Sequence, residues 1–209
     1  MSRIRSVTCA VALATGMVMA PAFADTVRGT AGDDRLTGTG FPDSMGGRAG
    51  GDRIAGRNAD DSIHGGPGND TVLGQNGRDK LYGDRGDDVV RGGDGLDFIW
   101  GNGGYDYLYG QGSPDAISGG GGMDIIYGGR GNDVIYGGGG GDVINPGPGR
   151  DRVEGNGGHD IIELRRDGKR DEIDCGNGID TVAYAGRRDA RDRLISCENV
   201  VTGEPFGAW

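Results

Sequence analysis

Apolar bulk is what this chain has least of. Aromatic residues make up 6% and hydrophobic residues 34% of its 209 positions, too little side-chain volume for a conventional globular core. Histidine is nearly absent: His64 and His159 stand alone, and neither belongs to an HExxH pattern. A GxSxG elbow is missing as well. Metalloprotease and serine-hydrolase chemistry therefore lack their usual residues, and the expectation is a protein without catalytic activity. Positive charge is also scarce, with 22 Lys and Arg against 32 Asp and Glu. That balance repels phosphate backbones and anionic headgroups, which excludes nucleic acid as a natural partner and favours cations. The longest apolar run, of about fourteen residues, is too short to cross a bilayer, so no membrane span is expected.

That run lies in MSRIRSVTCAVALATGMVMAPAFAD, where Arg3 and Arg5 precede it and Ala22-Phe23-Ala24 end it. The arrangement is that of a secretory signal peptide over residues 1–24, cleaved after Ala24, and a secreted location follows. A membrane anchor is the alternative, but no basic stop follows the run, and no small-residue lipobox precedes Cys9. Removing Arg3 and Arg5 leaves 20 basic residues against 32 acidic ones, a net charge of −12.

Glycine, by contrast, is abundant, with 48 residues. Residues 119–145 show how it is arranged: GGGGMDIIY, GGRGNDVIY and GGGGGDVIN follow one another in a single nine-residue frame. The frame extends without insertion or deletion from Gly29 to Glu163 as fifteen nonapeptides. Position one is Gly in all but Pro146, position six is Asp in every copy, and position eight runs from Leu36 and Met45 to Ile144, Val153 and Ile162. A constant period of this kind denotes a repeat architecture. Collagen is excluded because Gly has no three-residue period, whereas disorder in the absence of a ligand stays compatible with the composition.

The frame reads Gly-Gly-x-Gly-x-Asp-x-U-x, with U a large aliphatic, and in this the chain resembles the RTX, or haemolysin-type calcium-binding, family. The resemblance covers about two thirds of the chain. It implies an all-β fold, a parallel β-roll or β-solenoid, in which each repeat is a six-residue turn and a three-residue strand and two repeats make one coil. Alternation along the strand sends U inward and its neighbours outward. The roll is expected over 25–163, with degenerate repeats and a C-terminal cap over 164–209.

The resemblance also names the ligand, several Ca2+ ions. Stacking at about 4.8 Å places same-edge Asp residues, eighteen positions apart, in two columns. Neighbouring carboxylates then repel by about 1 kcal/mol even in water-like surroundings, and divalent ions between turns reverse the sign. Carboxylate and carbonyl oxygens suit calcium better than magnesium, and no His or Cys in the frame recruits zinc or copper. By the resemblance, the metal-ligating residues are Asp34, Asp52, Asp61, Asp70, Asp79, Asp88, Asp97, Asp106, Asp115, Asp124, Asp133, Asp142, Asp151 and Asp160, completed by carbonyls of the first four turn positions. Fifteen turns, each pairing with the next but one, allow at most thirteen sites. Five turns match the family in full: GGPGND, GGDGLD, GGGGMD, GGRGND and GGGGGD. Phe41 in GTGFPD removes Asp43 from the set, and Ala59 in GRNADD and Ser113-Pro114 in GQGSPD are expected to weaken Asp61 and Asp115. For any single Asp, a solvated turn residue is the plainer reading.

Outward positions seven and nine carry Tyr82, Phe98, Trp100, Tyr107, Tyr109, Tyr127 and Tyr136. Aromatic residues favour strands and support one another along a ladder. The rival reading is a calcium-dependent surface for cell-surface glycan or for self-association. Beyond Glu163 the frame slips by two residues at Leu164-Arg165, and RDGKRDEID and CGNGIDTVA restore two imperfect repeats. Cys175 and Cys197 are the only cysteines left after signal removal, and in an exported chain they most simply form one disulfide, contributing about 3 kcal/mol. Free thiols are the alternative. This ending resembles those of secreted actinobacterial proteins with the same repeats. The tail GEPFGAW does not look like the uncleaved signal of type I secretion, and no room for a catalytic domain exists between Ala24 and Gly29.

Overall fold

The computed structural model describes residues 17–19 and 25–203. The expected signal peptide lies outside the described residues except for a short strand, Met17–Met19, as does the tail from residue 204 onward. Every element among the described residues is a strand, and no helix occurs. The chain winds as a parallel β-solenoid of about ten turns whose successive strands fall on two opposed eleven-stranded sheets. One sheet includes Arg53–Asn58, Thr71–Asn76, Val89–Asp94, Tyr107–Gly112 and Ile125–Arg130, and the other includes Ser62–Pro67, Lys80–Arg85, Phe98–Gly103, Ala116–Gly121 and Val134–Gly139.

The register follows from the nonapeptide. Ile54 pairs with Val72, Leu81 with Ile99 and Leu108 with Ile126, each pair eighteen residues apart. Position eight forms the core: Ile54, Ile63, Val72, Leu81, Val90, Ile99 and Leu108 are all 0% exposed. With alternation of period two, position eight from both sheets meets in a single apolar seam between them. Its neighbours at positions seven and nine are partly or fully exposed. A core one aliphatic side chain wide per repeat needs little apolar bulk, which is how so polar a composition still folds.

One expectation changes. From Arg53 onward most strands are six residues long, not three, and run on into the following turn. Identical turns stacked in register also present matching main-chain groups, so the amides of Gly68, Gly77 and Gly86 donate to the carbonyls of Arg85, Asp94 and Gly103 in the coil above.

Outward rings stack along the axis. His64, Tyr82 and Trp100 lie face to face at 4.2 and 4.6 Å, Tyr109 stacks on Tyr127, and Arg91 sits over Tyr109. Their faces are turned toward one another and thus support the strands.

The C-terminal coils continue the same winding. Ile162 pairs with Val182 at a spacing of twenty and Ile173 with Leu194 at twenty-one, so the frame slip is absorbed in longer turns while the sheets continue. Cys175 and Cys197 are joined by a disulfide with their Cα atoms 5.2 Å apart, tying the last coils together.

Candidate metal centre

Each position-six Asp is held by the winding of the coil. Its side chain turns inward at the corner of the roll, and from Asp52 to Asp160 none is more than 3% exposed. Oδ1 of each accepts the main-chain N–H of the Asp eighteen residues earlier. Asp79 donates to Asp97, Asp97 to Asp115 and Asp115 to Asp133 along one edge, while Asp70, Asp88 and Asp106 link along the other, all at 2.7 to 2.9 Å. Two uninterrupted carboxylate columns result.

The second oxygen is the informative one. Among the described residues, Oδ2 is buried and has no hydrogen-bond partner in Asp52, Asp61, Asp70, Asp79, Asp88, Asp97, Asp106, Asp115, Asp124, Asp133, Asp142, Asp151, Asp160 and Asp180. A buried acceptor without a donor costs about 1–3 kcal/mol, and more when charged. Fourteen of them in two rows require a common partner.

Burial, reinforced by neighbouring carboxylates and opposed by the Oδ1 hydrogen bond, raises these acids well above the usual range. Asp70, Asp106, Asp124 and Asp142 move to about 6, Asp61, Asp88 and Asp97 to about 7, and Asp115 and Asp151 to about 8.

Space beside these oxygens is kept by glycine at position one. A Cβ on Gly83 would lie 2.5 Å from Asp88 Oδ2 and 2.9 Å from the carbonyl oxygen of Gly101 in the next coil. The missing side chain therefore leaves a gap that a carboxylate and a carbonyl oxygen both face. Position four has a different need. Gly68, at φ 143°, has left-handed backbone against the Gly50 carbonyl. Ala59 (φ 77°) and Ser113 (φ 76°) adopt left-handed backbone where Gly is usual, at a cost on the order of 1 kcal/mol each. The columns continue through both, and Asp61 and Asp115 keep the same hydrogen bonds as their neighbours.

The donors are oxygens alone, which suits a hard cation. No three His, Cys, Asp or Glu side chains converge on one point among the described residues, so an ion held here draws on main-chain carbonyls in addition to carboxylates. His64 Nδ1 lies 3.1 Å from Asp84 Oδ2 on the exposed face, away from the columns.

The family model described as the RTX calcium-binding nonapeptide repeat (4 copies) matches residues 22–43, 46–81, 73–108, 82–117, 109–144, 118–153 and 136–166. The chain belongs to this family. No curated protein matches it. Membership of the RTX family implies Ca2+ as the ligand, and the oxygen-only donor set fits that ion.

Of the fourteen aspartates that the repeat singles out, the thirteen from Asp52 to Asp160 share the arrangement. Asp34 does not: its Oδ2 accepts the amide of Thr30 at 2.5 Å and the Thr30 hydroxyl at 2.9 Å. Asp43, set aside on sequence, is held likewise by Thr39. The structure adds Asp180, whose Oδ1 accepts the Asp160 amide and whose Oδ2 is unpartnered. CGNGIDTVA carried that signal, but Cys175 stands where the turn otherwise has Gly. Glu198 takes the Asp180 amide in the last coil, and no repeat pattern marks it.

Proposed function

We propose that this is an exported, non-catalytic RTX protein whose roll folds on binding several calcium ions between stacked turns. The observation that carries the reading is the pair of columns of buried, unpartnered Asp oxygens beside glycine gaps. Asp52 to Asp160 would hold the ions, together with first-position carbonyls such as that of Gly101. Calcium supplies only charge neutralisation and oxygen coordination here. In its absence the same carboxylates repel within each column. Binding free energy is then folding free energy, and the chain stays loose until it meets calcium outside the cell. Residues 1–24 would direct export, 25–163 form the ion-binding roll, and 164–209 close its end. The resemblance, the turn residues and the acid-rich composition all support this reading.

Equilibrium dialysis of residues 25–209 tests it. Several calcium ions should be retained per chain in the presence of equimolar magnesium. Retention of no calcium, or its displacement by that magnesium, would remove the proposal.

A further inference from the structure

The two carboxylate columns end in a way that the repeats between do not share. In the first two turns Thr replaces the usual position-two residue, and its hydroxyl reaches the carboxylate of its own turn. Thr30 Oγ1 is 2.9 Å from Asp34 Oδ2, and Thr39 Oγ1 is 3.0 Å from Asp43 Oδ2. The Thr amides donate to the same oxygens at 2.5 and 2.6 Å. At the far end of the second column, the one that begins with Asp43, Asp192 Oδ1 takes the Asp171 amide while Oδ2 accepts the Tyr184 hydroxyl at 3.1 Å. Asp192 and Tyr184 are 6% and 3% exposed.

The backbone of the first turns differs too. From the third turn onward position two is left-handed, as at Arg48 (φ 84°), Arg57 (φ 90°) and Gln75 (φ 82°), whereas Thr30 and Thr39 are not. Neither Gly32 nor Phe41 at position four has positive φ, although Gly50, Ala59 and Gly68 do. The flanking strands, Arg35–Thr37 and Ser44–Gly46, are three residues long and do not extend into the next turn as the strands from Arg53–Asn58 to Val134–Gly139 do.

Calcium coordination explains why ends must differ. The ion takes six to eight oxygens, and an ion between coils draws on the turns on both sides. At the last coil one of those turns is missing. A carboxylate there needs another partner, and a hydroxyl or amide is the neutral donor that a protein can supply.

We propose that hydroxyl groups close the calcium columns: Thr30 and Thr39 at the N-terminal end and Tyr184 at the C-terminal end of the second column take the place of ions. Asp34, Asp43 and Asp192 are structural acceptors, and the ions occupy the turns between them. This inference rests on the calcium reading above, and it assigns which carboxylates hold no ion.

Calcium retained by residues 25–209 is the test, with the count compared across variants. Asp34→Asn with Asp43→Asn should retain the wild-type number, whereas Asp97→Asn with Asp106→Asn should lose at least one ion. Equal losses from the two pairs would overturn the inference. Thr30→Val with Thr39→Val should retain the full count yet need more calcium to fold, and Thr30→Ser with Thr39→Ser should behave as wild type. A lower count in the Val pair would overturn it as well. If the wild-type chain bound no calcium, this inference would fall with the reading it rests on; if it bound several and only the end variants departed from expectation, this inference alone would fall.

Discussion

Glycine at position one of a turn and glycine at position three look alike in the sequence and are not alike in the structure. A methyl group on Gly83 would press on Asp88 Oδ2 and the Gly101 carbonyl, while one on Gly103 would meet nothing closer than 4.0 Å. Gly83→Ala should therefore cost about 1–3 kcal/mol, as overpacking does, and should raise the calcium concentration needed for folding. Gly103→Ala should stay within about 0.5 kcal/mol. Thermal unfolding at saturating calcium distinguishes them, and equal effects would mean that the gap beside Gly83 has no special role. Asp at position six and the aliphatic at position eight are legible from their constancy alone. The work of Thr30 and Thr39 is not, because it depends on a turn conformation that a nine-residue frame cannot express.

At the scale of one coil, the Asp ladder separates two roles in one side chain. Oδ1 satisfies a main-chain amide eighteen residues away, and Oδ2 is buried without a hydrogen-bond partner. Asp97→Asn keeps an oxygen for the Asp79 amide but removes the charge, whereas Asp97→Ala also leaves that amide unpaired, a further cost of about 1–3 kcal/mol. Both variants should bind less calcium, and the Ala variant should be the less stable of the two in denaturant at saturating calcium. Equal stability would deny the ladder its structural part.

The columns also dictate a pH dependence for the calcium-free chain. Burial raises the folded-state acids from 3.8 to between about 6 and about 8, so protonation favours the folded form. Their contribution is complete below about pH 4, where the unfolded chain is also protonated, and is lost as pH rises through 6 to 8. Acidifying calcium-free protein from pH 8 to pH 5 should increase its β-sheet circular dichroism, while calcium affinity should fall over the same interval because ions and protons compete for Oδ2. A calcium-free roll that loosened on acidification would contradict the assignment of the columns. The raised pKa of these carboxyls is not legible in the sequence, where each Asp reads equally well as a solvated turn residue. Burial at 0 to 3% from Asp52 to Asp160 decides against that.

For the whole molecule, the roll is legible because fifteen copies agree. Period nine, alternation around position eight and the eighteen-residue pairing all lead to the two parallel sheets that the chain forms. The C-terminal region is less completely legible. Its two-residue slip is visible at Leu164-Arg165, but not that coils of twenty and twenty-one residues would carry one sheet through to Asn199–Gly203 and the other to Arg193–Ile195. The extra residues fall in coils that carry the exposed segments 165–170 and 186–188 while the core residues stay paired, so Ile173, Val182 and Leu194 continue the apolar seam. Such an assembly is held coil to coil, with no large core to fold around. Its stability without calcium therefore turns on whether the acid columns can be tolerated.

Far-UV circular dichroism of residues 25–209 during calcium titration, with magnesium and chelator controls, tests that most directly. A cooperative gain of β-sheet signal, specific to calcium and reversed by EDTA, is the result that calcium-coupled folding predicts. A spectrum already fully β in EDTA at pH 8 and unchanged by calcium would contradict it, leaving the nonapeptides as a solenoid scaffold whose aspartates serve structure alone.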